Sequence, residues 1–312
     1  MTARILALSG GIGGAKLALG LYQTLGAGEL AVLVNTADDF EHLGLYISPD
    51  VDTLLYTLAG LADPERGWGR AGETWQFMTE LRRLGGEDWF SLGDKDLALH
   101  VERTRQLRGG ANLTAITGAI AARFGIHAQV LPMSDQPVRT FLTTDAGVLD
   151  FQRYFVGLRA QPAVHGIEYR GAATAAANPE VLSLLADPAL EAVILCPSNP
   201  WLSIAPLLAI PVLRAALSAC RAPVVAVSPI VGGAAIKGPT AKIMTELGLP
   251  VTAATVARYY GDLLDGYVLD RSDAALAPDL GLPALVTATV MKTAEDKQRL
   301  AREVVAFARQ LT

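Results

Sequence analysis

The sequence predicts an α/β fold built on a parallel sheet with helices on both faces, and three observations carry the prediction. Short, continuous apolar runs recur at Ile5–Leu8, Leu30–Val34, Ala192–Leu195, Val224–Val227 and Tyr267–Leu269. Runs of that length without alternation are strands buried on both faces. Stretches with helical spacing separate many of them, and repeated strand–helix alternation builds a parallel sheet. The runs close in glycines or in polar and proline-containing loops, the segments from which open α/β sheets build ligand sites. The expected architecture is Rossmann-like, with a mainly helical insertion and a β-hairpin added.

The first run breaks into Ser9-Gly10-Gly11-Ile12-Gly13-Gly14-Ala15-Lys16, after which Leu17, Leu21 and Leu25 recur every four residues, the spacing of one helix face. Glycines let a backbone approach a phosphate, and a helix N-terminus offers free N–H groups and partial positive charge. The spelling is neither of two familiar ones. A dinucleotide fingerprint needs glycine at Lys16, and a Walker loop needs Gly-Lys-Ser/Thr where Ala15-Lys16-Leu17 stands. Four glycines in the five positions 10–14 favour a phosphate or diphosphate site over a plain turn. Ser9, Gly10, Gly11, Gly13, Gly14 and Lys16 are its candidates.

The second run ends in Asn35-Thr36-Ala37-Asp38-Asp39, and a polar cluster past a strand's carboxyl end is a ligand position. An acidic residue there also suits a ribose, which keeps a nicotinamide-dependent dehydrogenase as an alternative. From Asp52 to about Gly125 strand signal gives way to helical spacing, and Trp68, Trp75 and Trp89 are concentrated there. Residues 52–125 are therefore expected to form the helical insertion over the sheet's carboxyl edge. Residues 1–51 and 126–312 form the nucleotide-binding α/β domain in this reading.

Ile47-Ser48-Pro49-Asp50-Val51-Asp52-Thr53 opens the insertion, and Pro49 suits a helix entrance. Asp50 and Asp52 are either helix caps or ligands. Their i, i+2 spacing puts them on different faces of a regular helix, so both serve one site only from a turn. Leu92-Gly93-Asp94-Lys95-Asp96 follows, then His100, Arg103, Arg105 and Arg108, a charge pattern that reads as a solvated helix face. Asn112 reads as the cap of a small-residue helix over Ala115–Phe124.

Alternation returns at Ala128–Leu131. Val138–Thr143 and Val148–Tyr154, joined across Asp145-Ala146-Gly147, read as the hairpin. Ser198 and Asn199 follow one later strand, and Ser228 and Gly232 another, where a nucleotide crossing the sheet edge is met. Glu295–Arg309 reads as a closing surface helix.

Composition sets the outer bounds. Of 312 residues 51% are hydrophobic and 18% charged, which places the chain among folded rather than disordered proteins. The net charge of −5 argues against nucleic-acid binding. Two cysteines, Cys196 and Cys220, provide no disulfide framework and suit a reducing compartment. The uncharged stretch Ala192–Leu213 approaches membrane-spanning length, but Pro197, Pro200, Pro206 and Pro211 interrupt it. A cytoplasmic protein without membrane partners is expected. The histidines His42, His100, His127 and His165 show no ligand spacing, so a zinc site is not expected. Magnesium held by carboxylates and phosphate oxygens fits better.

Taken in order, the motifs resemble those of a known family. Ser-Gly-Gly-x-Gly at 9–13, Asn35–Asp39, Ile47–Thr53 and Leu92–Asp96 are followed by Leu131-Pro132-Met133-Ser134-Asp135, Pro197–Pro200 and Val227-Ser228-Pro229-Ile230. The series resembles the 2-phospho-L-lactate transferase family (CofD), which makes the precursor of the deazaflavin coenzyme F-420. The resemblance runs from about Arg4 to the final helix. It implies a magnesium-dependent, dimeric enzyme that moves a phospho-three-carbon-acid group, phospholactyl or its enolpyruvyl or glyceryl equivalent. The donor is a guanosine diphospho-linked acid and the acceptor is the ribityl hydroxyl of the deazaflavin FO, with GMP released.

On that resemblance FO meets Asp52, Ser91 and Asp94, Asp52 orients or deprotonates the nucleophile, and Asp50 binds Mg2+. The tryptophans of the insertion offer an apolar wall for the flat ring. A non-catalytic nucleotide-sugar-binding regulator of the same superfamily is the second alternative. Phe40-Glu41-His42-Leu43-Gly44, where that branch has a glycine- and serine-rich run, favours the transferase. Lys95 departs from the arginine of many relatives, keeping the charge and losing the planar fork.

Overall fold

A computed structural model describes residues 3–311. β1 (Ile5–Ser9) runs into α1 (Gly11–Thr24) and back to β2 (Leu30–Val34), after which β3 (Phe40–His42) and β4 (Leu45–Ile47) pair as a small ribbon. Four helices follow, α2 (Pro49–Leu58), α3 (Gln76–Arg83), α4 (Asp94–Arg108) and α5 (Leu113–Arg123). Next come β5 (Gln129–Pro132), β6 (Arg139–Thr144), β7 (Gly147–Asp150), β8 (Val164–Arg170), α6 (Pro179–Ala186) and β9 (Ala192–Leu195). The chain continues through α7 (Ala205–Leu208), α8 (Pro211–Ala219), β10 (Val224–Val227), β11 (Ile230–Val231) and β12 (Ala234–Ala235). It ends with α9 (Thr240–Glu246), α10 (Ala253–Tyr260), β13 (Gly266–Asp270), β14 (Ala284–Thr287) and α11 (Ala294–Ala308).

Seven strands form one parallel sheet in the order β14-β13-β10-β9-β1-β2-β5. The chain builds outward from β1 through β2 and β5, then returns to β1's other side for β9. The order therefore reverses between β1 and β9, and the crevice at such a reversal is where α/β sheets bind ligands. β1, β2, β9, β10 and β13 are buried at every residue. Leu6, Leu8, Leu33 and Leu195 face one core, while Ile5, Ala7, Val32 and Ile194 face the other, as the alternation of side chains across a strand requires. Each such leucine, isoleucine or valine contributes roughly 1.5–3 kcal/mol by leaving water.

Several elements differ from the expectation. α1 begins at Gly11, inside the glycine run rather than after it. α2 begins at Pro49, which puts Asp50 and Asp52 in its first turn. The expected hairpin gains β8 and becomes a three-stranded sheet, β7-β6-β8. Val51, Leu54 and Leu55 of α2 join the same core as Leu17 and Leu21 of α1, so this helix is packed onto the sheet layer. Among the described residues no single helix is long and apolar enough to cross a membrane. The apolar segments Pro200–Leu208 and Pro211–Ala219 meet at 86°, and Leu207 and Leu213 are buried in the sheet's core.

Candidate functional site

A cleft of about 630 Å³ opens at the carboxyl ends of the strands, at the reversal between β1 and β9. Gly10, Gly11, Gly13 and Lys16 after β1, Asp38 after β2, and Ser198 and Asn199 after β9 form its floor. α2 and α4 supply one wall, with Asp50, Asp52, Tyr56, Asp96 and His100. Trp68, Phe90, Phe151 and Phe155 ring the upper part.

The glycine run is shaped mostly by its protein neighbours. A Cβ at Gly10 would stand 2.6 Å from Ser203 Cβ, and one at Gly13 would stand 2.5 Å from the Pro197 carbonyl. One at Gly14 would collide with Ser198 and Ser9. Gly13 must be glycine to admit the chain after β9, a reason separate from the expected approach to a phosphate. Gly11 sits at φ +62, where a side chain is strained whatever the space. α1 has no side-chain cap. Its first N–H groups lack intrahelical acceptors by helix geometry, and Ile12 and Gly13 line the cleft. Gly10 N–H donates to Ser198 Oγ at 3.1 Å. Ser9 and Gly14 lie beneath the floor, both buried.

Asp50 and Asp38 face each other across one amide. Asn35 Nδ2 donates to Asp38 Oδ1 at 3.0 Å and to Asp50 Oδ2 at 3.0 Å. Asp50 Oδ1 accepts the Gly11 N–H at 2.6 Å. Burial pushes the Asp50 carboxyl up to about 6, against the hydrogen bonds from Asn35 and Gly11. Burial, then the charges of Asp50 and Asp39, hold Asp38 well above the usual carboxylate range. Behind them Asp39 accepts from Ser48 Oγ and Tyr46 OH, each at 2.8 Å. Burial pushes Asp39 up to about 7 although Arg139, Ser48 and Tyr46 oppose it.

Asp52 has a different setting. Arg103 Nη1 donates to Asp52 Oδ2 at 3.0 Å and Nη2 to Oδ1, and Arg103 is 1% exposed. His100 lies between two carboxylates, with Nδ1 3.7 Å from Asp52 Oδ2 and Nε2 3.3 Å from Asp96 Oδ1. Tyr56 OH donates to Asp96 Oδ1 at 2.5 Å. α4 is therefore not a uniformly solvated face. Asp96, His100 and Arg103 occupy i, i+4 and i+7, one inward stripe, whereas Arg105 and Arg108 are less buried. That spacing is the sequence signal that locates the stripe.

The remaining candidates divide. Ser91, Ser198, Asn199 and Ser228 line the cleft. Asp94 does not: it accepts from the N–H groups of Gln76 and Phe77, each at 3.0 Å, and from Thr74 Oγ1, so it caps α3. Gly232 also lies outside, its N–H donating to Asp273 Oδ2 at 2.9 Å. Lys16 Nζ donates to the Met291 carbonyl at 3.3 Å. Burial first, then Lys237 and Lys297, lowers its ammonium pKa. Lys237, which no motif singles out, lines the same cleft. Lys95 Nζ reaches the Ala71 carbonyl at 3.4 Å. Asn199 Oδ1 accepts from Trp201 and Leu202, which leaves its buried Nδ2 without a protein acceptor.

Phe151 and Phe155 stack at 5.3 Å and 10°, and Trp68 is 44% exposed, so the rim offers flat apolar surface. Cys196 is buried, its thiol pushed up to about 12 by burial, which makes it a small core residue. Among the described residues no three His, Cys, Asp or Glu side chains form a ready-made metal cage.

Comparison with known proteins places this architecture. The family model described as 2-phospho-L-lactate transferase CofD matches residues 5–303. A phosphoenolpyruvate transferase of Kitasatospora aureofaciens is 40% identical over 99% of this chain and 98% of its own length. A 2-phospho-L-lactate transferase of Methanosarcina mazei is 40% identical over 96% of this chain and 99% of its own. A Mycobacterium ulcerans phosphoenolpyruvate transferase is 41% identical over 86% of each chain. The crystal structure of a UPF0052-family protein from Bacillus halodurans superposes with a TM-score of 0.61 at 13% identity, covering 98% of this chain and 99% of its own, which shows the shared fold.

Proposed function

The chain belongs to the 2-phospho-L-lactate transferase CofD family, and on that premise we propose that it transfers a phospho-three-carbon-acid group onto the ribityl hydroxyl of FO. The donor in this reading is a guanosine diphospho-linked acid, the leaving group is GMP, and the product is the precursor of coenzyme F-420. A homodimer belongs to the same reading.

The observation that carries the proposal is the pairing of Asp38 and Asp50 across Asn35, beside the opening amides of α1, at the reversal of strand order. Two buried carboxylates next to a phosphate position are reconciled by a cation or by protons. Their oxygen donors suit Mg2+, which takes few protein carboxylates and fills its remaining positions with water and phosphate. Asp38 and Asp50 would hold it, and bound there it supplies neutralisation of charge on the diphosphate. The amides of Ile12 and Gly13, with Lys16 and Lys237, receive the donor's phosphates. Asn199 Nδ2 offers its unused donor to the nucleotide. Trp68, Phe151 and Phe155 flank the deazaflavin ring. Phosphoryl-type transfer demands positioning and charge neutralisation more than covalent help, and these residues supply both.

Thermal unfolding with and without Mg2+ and GDP tests this. The raised carboxyls of Asp50 and Asp39 make the native state bind more protons than the unfolded chain. Their stabilising contribution is full below the ordinary value of 3.8 and is lost as pH rises through about 6 and about 7. Mg2+ with GDP is expected to raise the melting temperature more at pH 7.5 than at pH 5, where protons compete for the same oxygens. An equal rise at both pH values contradicts the carboxylate site, and equal protection by ADP contradicts a guanosine donor.

A further inference from the structure

We infer that Asp96, rather than Asp52, is the catalytic carboxylate that accepts the proton of the attacking hydroxyl, with Tyr56 holding it in position and His100 packed beside it. The inference rests on the transfer reaction proposed above and assigns a residue within it. Apart from Asp50, given above to the cation with Asp38, four groups on the α2–α4 wall of the cleft could take a proton, and their surroundings separate them. Both Asp52 oxygens already accept from the Arg103 guanidinium, a permanent cation, so Asp52 is committed to a buried ion pair. His100 sits with Nε2 toward Asp96 and Nδ1 toward Asp52, and both nitrogens are buried away from the cleft's solvent. Tyr56 donates its own proton to Asp96, and burial holds that phenol far above its ordinary value.

Asp96 is left. Its Oδ1 is occupied by Tyr56 at 2.5 Å and faced by His100 at 3.3 Å. Its Oδ2 has no partner among the described residues, although the residue lines the cleft and its side chain is 14% exposed. One oxygen anchored and one presented to the cleft is the arrangement a hydroxyl acceptor needs. Asp96 is also pinned from behind, because its N–H donates to Glu73 at 3.0 Å. Burial pushes its carboxyl up, but His100, the Tyr56 hydroxyl and Arg103 outweigh this and hold it below the usual range. It is therefore ionised at neutral pH. A loose, phosphoryl-type transition state moves the nucleophile's proton with little demand for a strong base.

The terminal ribityl oxygen forms the new bond to the donor phosphorus that bears the acid. The bond from that phosphorus to the GMP oxygen breaks, and its electron pair leaves with GMP. The hydroxyl proton passes to Asp96 Oδ2 and from there to solvent.

The test is Asp96→Asn, which keeps Oδ1 for Tyr56 and removes the charge. Its kcat is expected to fall by on the order of 10² to 10⁴. FO binding, read by deazaflavin fluorescence, and the melting temperature should stay close to wild type. Tyr56→Phe removes only the anchoring bond and is expected to cost roughly 10-fold in kcat with the KM for FO unchanged, the signature of a positioning residue. Wild-type kcat in a folded Asp96→Asn protein overturns the assignment while leaving the transferase reading intact. A loss confined to KM, with kcat preserved, also overturns it. Failure of the wild-type protein to bind FO at all overturns both.

Discussion

Asp52→Asn is expected to lower the melting temperature by roughly 6–10 °C, because it leaves a buried guanidinium without its counter-charge. Arg103 is 1% exposed and forks onto both Asp52 oxygens. Removing one member of such a pair costs about 3–5 kcal/mol, since the other charge is stranded in a low-dielectric setting. For a chain of this size each kcal/mol moves the midpoint by about 2 °C. Replacing both partners with apolar residues of similar volume, Asp52→Leu with Arg103→Met, is expected to recover much of the loss. A single Asp52→Asn variant that melts with wild type would show that the pair contributes nothing, and Asp52 would again be free to act on substrate. The measurement is thermal denaturation of wild type and the two variants under identical buffer.

Asp50→Asn is expected to behave in the opposite way. Here the native protein holds two repelling carboxylates across one amide, and burial already lifts Asp50 to about 6. Removing one charge relieves that repulsion and offsets the lost hydrogen bond from Asn35. The melting temperature should therefore move by only a few degrees, while stabilisation by Mg2+ disappears. Charge neutralisation at a transferring phosphate amounts to several kcal/mol, so kcat should drop on the order of 10²-fold or more. Steady-state turnover together with a magnesium titration of the melting temperature checks both halves. Retained magnesium response with normal turnover contradicts the role given to Asp50.

The contrast between these two aspartates shows what a sequence can and cannot reveal. β1, β2, β9 and β10 were legible almost to the residue, because strands covered on both faces are written as unbroken apolar runs. β14 was not, since it lies at the sheet's edge with Ala284, Leu285 and Val286 only partly covered. β8 exposes His165, Glu168 and Arg170, which dilutes its strand signal. The glycine run was recognisable as a strand-to-helix loop. The reason for Gly13 was not, because the Pro197 carbonyl that excludes a side chain there lies after β9, far along the chain. α4 was misread for a related reason. Its charges look solvated in one dimension, and only packing against α2 turns Arg103 and His100 inward toward Asp52. Pairing across elements is tertiary information, and residue type alone does not carry it.

The central claim is that this cleft joins a guanosine-linked three-carbon acid to FO. The most direct measurement is incubation of the full chain with Mg2+, FO and, in parallel, guanosine diphospho-linked lactate, enolpyruvate and glycerate, with mass analysis of the products. GMP and a phosphodiester of FO are expected with at least one of the three acids, and neither without Mg2+. Unchanged FO in all three reactions, from a folded protein that binds both FO and GDP, would contradict it.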